Sequence, residues 1–101
     1  MIIYNVTIQV EKEIAEPWLQ WLQQEHIPEV MHTGCFLKYQ LVKLLETDES
    51  EAITYAVQYY AASREFVDEY VNEHANLLRQ NGIKKWGERY IAFRTIMEVV
   101  D

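Results

Sequence analysis

Four polar residues of this sequence, Asn5, His26, Gln58 and Arg94, are of types that could bind or transform a small molecule. The guanidinium of Arg94 presents several donors in one plane, which suits a carboxylate or enolate oxygen. The side-chain amides of Asn5 and Gln58 could orient an oxygen-rich ligand. His26 ends an amphipathic segment, and its imidazole could act as a general base. We therefore predict that His26 is catalytic and that Asn5, Gln58 and Arg94 bind the ligand.

The same side chains also have structural interpretations. Arg94 could pair with Glu98, or with a charge on a neighbouring strand, at a wet interface. His26 could hydrogen-bond the backbone freed ahead of Pro28. His74 falls on an apolar helical stripe, which is typical of a satisfied core histidine. The sequence does not decide between these interpretations and the functional ones.

Metal and cofactor signatures are few. His26, Glu29 and His32 contain one pair of residues three apart, but Pro28 interrupts the local helix and no second pair follows. Cys35 is the only cysteine, which excludes an intrachain disulfide and a cysteine cluster, and we expect it to pack as a small hydrophobic residue. Phosphate-binding loops, dinucleotide fingerprints and nucleophile motifs are not found. We expect no metal and no cofactor.

Four segments have the period or composition of β-strands. Ile2 to Val10 alternates strictly between apolar and polar residues. The later strands are predicted over Cys35 to Leu45, Ala52 to Tyr60 and Tyr90 to Val100. The acidic run between the second and third strands indicates a solvated hairpin loop.

Two segments have helical periodicity. The first begins at Ile14 and is predicted to break or kink ahead of Pro28. The second is predicted to begin after Ser63, as its N-cap, and to end at Gly82. The order βαββαβ favours one α+β domain over residues 1–101, with the ferredoxin-like fold: a four-stranded antiparallel sheet carrying two helices on one face.

The second face of this sheet needs a cover. Strands two and four place apolar residues on both faces, and we assign Val42 and Ile96 to the face opposite the helices. The polar residues assigned to that face are Asn5, Thr7, Gln9, Lys38, Gln40, Gln58, Tyr60, Arg94 and Glu98. A second copy of the sheet is the simplest cover, so we predict a homodimer that pairs through this face.

Charge and hydropathy exclude two classes of partner. The formal net charge of −7 repels a phosphate backbone, so we expect no nucleic acid. No apolar run approaches the ~20 residues of a membrane span. We expect a soluble cytoplasmic protein without a membrane partner.

Several motifs together resemble a known family. They are Trp18 to Trp21, Glu25 to Pro28, Thr33 to Phe36, Ile53 to Tyr59 and Arg89 to Thr95. They resemble a bacterial family known only as a domain of unknown function, within the dimeric α/β-barrel superfamily. This resemblance implies ferredoxin-like protomers that pair sheet to sheet. It also implies kinship with cofactor-free monooxygenases, isomerases and haem-degrading enzymes.

Three functions follow from these residues and this resemblance. The first is small-molecule binding, or a cofactor-independent monooxygenase-like or isomerase-like activity, in the sheet-face cleft. The second is a non-catalytic ligand-sensing or structural module, and whether the chain is an enzyme stays open. The third is haem binding or degradation: the resemblance matches Asn5 and His74 to haem-site elements, but Tyr59 and Tyr60 stand where a tryptophan is expected.

Overall fold

A computed structural model describes residues 1–101 and confirms the predicted order of strands and helical segments. The strands are β1 (Ile2–Glu11), β2 (Lys38–Lys43), β3 (Ala52–Ala61) and β4 (Tyr90–Glu98). They form one antiparallel sheet in the order β2-β3-β1-β4. Both helical segments contribute to a single core on one face of this sheet. The chain therefore has the α+β ferredoxin-like fold.

Strand β2 begins later than predicted. Cys35 and Phe36 are adjacent in sequence, both are buried, and neither belongs to the ladder with β3. They instead pack into the core ahead of the strand, and Leu37 N donates a hydrogen bond to Tyr60 O. The ladder with β3 then runs from Lys38 to Lys43.

The first helical segment does not break at Pro28, but a π turn interrupts its α-helical geometry ahead of the proline. It comprises a 3₁₀ turn (Lys12–Ile14), α1 (Ala15–Trp21), a π-helical turn (Leu22–His26) and α2 (Ile27–His32). In the π turn, the Ile27 N–H donates to the Leu22 carbonyl five residues back. A regular α-helix would press the proline ring against the Gln24 carbonyl, and we attribute the wider turn to this clash.

The second helical segment ends later than predicted. It comprises α3 (Arg64–Glu73) and α4 (Ala75–Trp86), with an interruption at His74, where φ is −123°. Gly82 is buried inside α4 and does not end it. Gly87 follows α4 with a φ of +63°, a left-handed conformation that glycine adopts without steric cost.

The core lies between the sheet and the helices. β1 contributes Tyr4, Ile8 and Val10, and β3 contributes Val57 and Tyr59. The helical segments cover them with Trp18, Leu22, Ile27, Val30, Val67 and Tyr70. None of the helices is both long enough and apolar enough to cross a membrane.

The strand register corrects three assignments on β4. Residues directly opposite each other share a face, and Arg94 lies opposite Val6, Ile96 opposite Tyr4 and Glu98 opposite Ile2. All three therefore lie on the helix side of the sheet. β4 is apolar on both faces, so its hydrophobic pattern does not reveal its register.

Candidate functional site

An internal cavity of about 50 Å³ lies between the sheet and the helices. Most of its lining is apolar, and aromatic rings are prominent. The aromatic residues of the lining are Tyr4, Trp18, Trp21, Tyr59, Tyr70 and Tyr90. The charged or ionisable nitrogen groups of the lining are His26, Arg79 and Arg94. A small-molecule site typically has an apolar lining and a small number of polar groups that point into it.

The π turn holds His26 at this cavity. Its imidazole stacks on the Trp21 ring with a centroid separation of 5.0 Å and an interplanar angle of 28°. It makes no side-chain hydrogen bond, so the structural interpretation of a bond to the backbone ahead of Pro28 is wrong. Burial, and then the positive charge of Arg94, lower the pKa of His26 from 6.5 to about 4. The imidazole is therefore neutral at pH 7 and can accept a proton.

Arg94 and Arg79 bring positive charge to the same cavity. Arg94 projects from β4 on the helix side, and Arg79 reaches it from α4. Arg79 Nη2 donates to the hydroxyl of Tyr4 at 3.2 Å. Neither arginine forms an ion pair within the chain, so the alternative interpretation, in which Arg94 pairs with Glu98, has no support here. Two guanidinium groups without carboxylate partners can bind an anionic ligand.

A surface groove of about 600 Å³ lies beside the cavity. The groove runs along α4 and β4 and includes Ile83, Gly87, Glu88 and Ile91. Four residues line both the cavity and the groove: Arg79, Tyr90, Ala92 and Arg94. The cavity and the groove therefore share part of their walls.

Two further polar groups line the cavity. Burial raises the pKa of Tyr90 above its usual value, against the smaller opposing effect of Arg94, so its hydroxyl stays protonated at neutral pH. The indole Nε1–H of Trp18 is buried and has no acceptor within the protein. A buried donor without an acceptor is costly, and a ligand oxygen or a water molecule could satisfy it.

The predicted site residues fall into two groups on opposite faces of the sheet. His26 and Arg94 meet at the cavity. Asn5 and Gln58 are directly opposite each other on the face away from the helices, so a single site containing all four is wrong. Asn5 Nδ2 donates to Thr7 Oγ1 at 3.0 Å. Gln40, Gln58, Asn5 and Thr95 form one polar row across this face, which we call the open face.

Sequence reasoning missed three residues of the cavity: Trp21, Arg79 and Tyr90. The spacing of Tyr90, Ala92 and Arg94 on alternate positions of one strand was a usable signal, because such residues share a face. The contact of Arg79 with Tyr4 joins residues 75 positions apart. No local pattern indicates a contact of that kind.

Solved structures share this fold over nearly the whole chain. A dimeric ferredoxin-like protein from an uncultured marine organism superposes with a TM-score of 0.76 at 10% identity, covering 99% of this chain and 95% of that one. A protein assigned as an antibiotic biosynthesis monooxygenase from Nitrosomonas europaea gives 0.68 at 9% identity, with 100% of both chains covered. SnoaB, a cofactor-independent oxygenase from Streptomyces nogalater, gives 0.57 at 8% identity, covering 99% and 94%.

These similarities confirm the ferredoxin-like fold. A search of curated proteins finds no match. A family model matches residues 1–100, which is nearly the whole sequence. The chain therefore belongs to the family described as Domain of unknown function (DUF4286).

Proposed function

We propose that this protein binds a small organic acid or enolisable carbonyl compound in the cavity and catalyses proton transfer on it without a cofactor. The observation that carries this proposal is the convergence of a neutral His26 and an unpaired Arg94 on one apolar cavity. We therefore assign the small-molecule function expected from the sequence to the cavity between the sheet and the helices. Asn5 and Gln58 face away from it and are not part of this proposed site.

The charge of the site selects the ligand. The whole chain carries a net charge of −7, yet two arginines line the cavity and neither forms an ion pair, although Glu88 lies in the adjoining groove. An anionic oxygen would form charge-assisted hydrogen bonds there, and these are roughly twice as strong as neutral ones. The aromatic lining would pack against the apolar body of the ligand.

The cavity is too small to hold the whole ligand. A cavity of about 50 Å³ holds only a few atoms, since one water needs roughly 10–15 Å³ on the same measure. The adjoining groove is about 600 Å³. We infer that the reacting end of the ligand enters the cavity and that its remainder lies in the groove.

The proposed chemistry uses His26 as a neutral base and Arg94 as a positively charged group. Neutral His26 takes a proton from a carbon next to a carbonyl; the electrons of the broken C–H bond form a C=C bond, and the carbonyl π electrons move to its oxygen. The enolate oxygen that forms is stabilised by the guanidinium of Arg94. An enolate is the intermediate of an isomerisation and the reactive species of a cofactor-independent oxygenation. Two of the structural neighbours are described as oxygenases, which supports this class by fold analogy.

The proposed assembly is a homodimer that pairs through the open face, and the proposed location is the cytoplasm. The named structural neighbour with the highest TM-score is described as dimeric. Ile91 and Phe93 leave large apolar side chains exposed on the open face. In such a dimer, Asn5 and Gln58 would lie within the interface.

Binding can be tested by calorimetric titration with a panel of aromatic and aliphatic carboxylates. We expect at least one to bind, and Arg94→Gln to weaken it about 10-fold or more, as for a lost hydrogen bond to a charged group. The matched control is Arg64→Gln, since Arg64 is an exposed arginine on α3. Absence of any binding acid, or equal binding by the Arg94→Gln and Arg64→Gln variants, would contradict the proposed ligand class.

Catalysis is tested separately from binding. In deuterium oxide, the wild type should exchange the proton next to the carbonyl of a bound keto acid, as followed by NMR. His26→Gln should bind the acid but lose most of this exchange. Binding without exchange in the wild type would support the alternative of a non-catalytic ligand-sensing module.

A further inference from the structure

Cys35, Glu69 and His74 form a cluster outside the cavity, and none of the three lines it. The thiol sulfur, a carboxylate oxygen and an imidazole nitrogen lie within 4.8 Å of one another. Cys35 Sγ donates a hydrogen bond to Glu69 Oε2 at 3.1 Å. Soft, hard and borderline metal donors therefore meet at one point of the fold.

The backbone fixes Cys35 in this cluster. Thr33 Oγ1 donates to the Val30 carbonyl at 2.7 Å and accepts from the Cys35 N–H at 3.3 Å. Gly34 completes the turn with a φ of +80°, which a residue with a Cβ rarely adopts. The sulfur is consequently held at one place, with the Cys35 residue only 2% exposed.

His74 is oriented by the break between α3 and α4. In a continuous α-helix, His74 would lie roughly 140° around the axis from Glu69, because each residue adds about 100°. The non-helical φ at His74 interrupts that geometry, and the imidazole stacks on Tyr70 at a centroid distance of 6.3 Å. The cluster therefore spans the end of one helix and the turn before β2.

The charge around the cluster favours a cation. Glu73 lies near enough to act on the thiol together with Glu69. Neither glutamate forms an ion pair with a lysine or arginine.

We propose that Cys35, Glu69 and His74 bind one Zn²⁺ ion. A thiolate and an imidazole suit zinc better than calcium or magnesium, which take oxygen ligands. Tetrahedral zinc, with bonds of about 2.0–2.3 Å, places its ligand atoms roughly 3.3–3.7 Å apart. The three ligand atoms lie within 4.8 Å of one another, and small side-chain rotations would bring them to this shorter spacing.

Binding would release the thiol proton to solvent, because the thiolate is the ligand. Three protein ligands leave the fourth zinc position open to water or to a small molecule, as in catalytic zinc sites. This site was not expected from the sequence, where Cys35 and His74 were both interpreted as core residues. It is independent of the proposed cavity function.

Cobalt is the probe for this site, because a Co²⁺–thiolate bond gives a charge-transfer absorption band. Titration of the full chain with Co²⁺ should produce this band together with tetrahedral visible bands, and Zn²⁺ should remove both. Cys35→Ser should lose the charge-transfer band. By competition, Glu69→Gln and His74→Gln should each weaken zinc binding about 100-fold or more, exceeding the effect of losing an outer-shell partner.

Matched controls come from the same residue types outside the cluster. Glu65→Gln on α3 and His32→Gln on α2 should bind zinc as the wild type does. Since Cys35 is buried, circular dichroism would first establish that Cys35→Ser folds, and the exposed Glu69 offers a test that does not disturb the core. A wild type without the band, or Glu69→Gln and His74→Gln variants with unchanged affinity, would overturn the proposal.

Discussion

At the scale of single residues, the ionisation of His26 should couple folding to pH. Its pKa is lowered from its ordinary value of 6.5 to about 4 in the folded chain, so the unfolded chain binds more protons between these limits. Stability should therefore rise as pH increases from about 4 to 6.5, by up to about 3 kcal/mol from this residue. His26→Gln keeps a neutral polar group and should remove this contribution, as measured by urea unfolding at pH 4 and pH 7.

The sixteen carboxylates of the chain also titrate at low pH, so the informative quantity is the difference between wild type and variant. His32→Gln is the matched control, because His32 is exposed on α2. It should keep the wild-type pH dependence. If His26→Gln kept it too, the imidazole would not be held neutral by burial.

The sequence indicated which residue types could act but not which faces they occupy. His26 and Arg94 were both predicted as site residues, and both line one cavity in the structure. Asn5 and Gln58 were grouped with them because β4 is apolar on both sides, which left its register undetermined. The cluster of Cys35, Glu69 and His74 depends on tertiary contacts that no spacing encodes.

At the scale of elements, Gly82 allows α4 to pack closely against two cavity residues, Tyr90 and Trp21. A Cβ at this position would come within 2.5 Å of Tyr90 Oη and 3.3 Å of Trp21 Cη2. Gly→Ala within a helix normally stabilises by about 1 kcal/mol. Here we expect Gly82→Ala to destabilise by roughly 1–2 kcal/mol, because overpacking would displace Tyr90. Urea unfolding at pH 7 measures the change.

The control for this effect is Asn81→Ala, since Asn81 is the exposed neighbour of Gly82 on α4. It should be neutral or slightly stabilising, as helix propensity predicts. A Gly82→Ala variant as stable as the wild type would mean that Tyr90 moves aside without loss of packing.

The boundaries of the elements were less predictable than their order. Period-2 and helical patterns gave the order βαββαβ correctly, because burial of one face dictates both periods. Pro28 and Gly82 were interpreted as helix ends by their usual local effects. In the structure a π turn accommodates Pro28 within the helical segment. Gly82 lies inside α4 because a larger residue would collide with the side chains packed against it.

At the scale of the whole molecule, the open face has a polar centre and an apolar margin. Asn5, Thr7, Gln9 and Gln58 occupy its middle, on β1 and β3. Ile91 and Phe93, each 56% exposed, flank them on β4, while Val42 lies on β2. Apolar contacts with interspersed polar groups are typical of protein interfaces, and a stable one buries roughly 1,600 Å².

A substitution in the apolar margin of the open face tests this assembly. Phe93→Asp would bury an unpaired carboxylate in the paired sheets, at a cost of several kcal/mol, and should give monomers. Ile96→Asp is unsuitable, since Ile96 lies on the helix side. Gln23→Asp, on the exposed side of the π turn, should leave the assembly unchanged. Light scattering at low micromolar concentration measures the mass directly. A wild type with the mass of a single chain would refute the dimer, whereas twice that mass in the wild type and one chain in Phe93→Asp would place the contact on the open face.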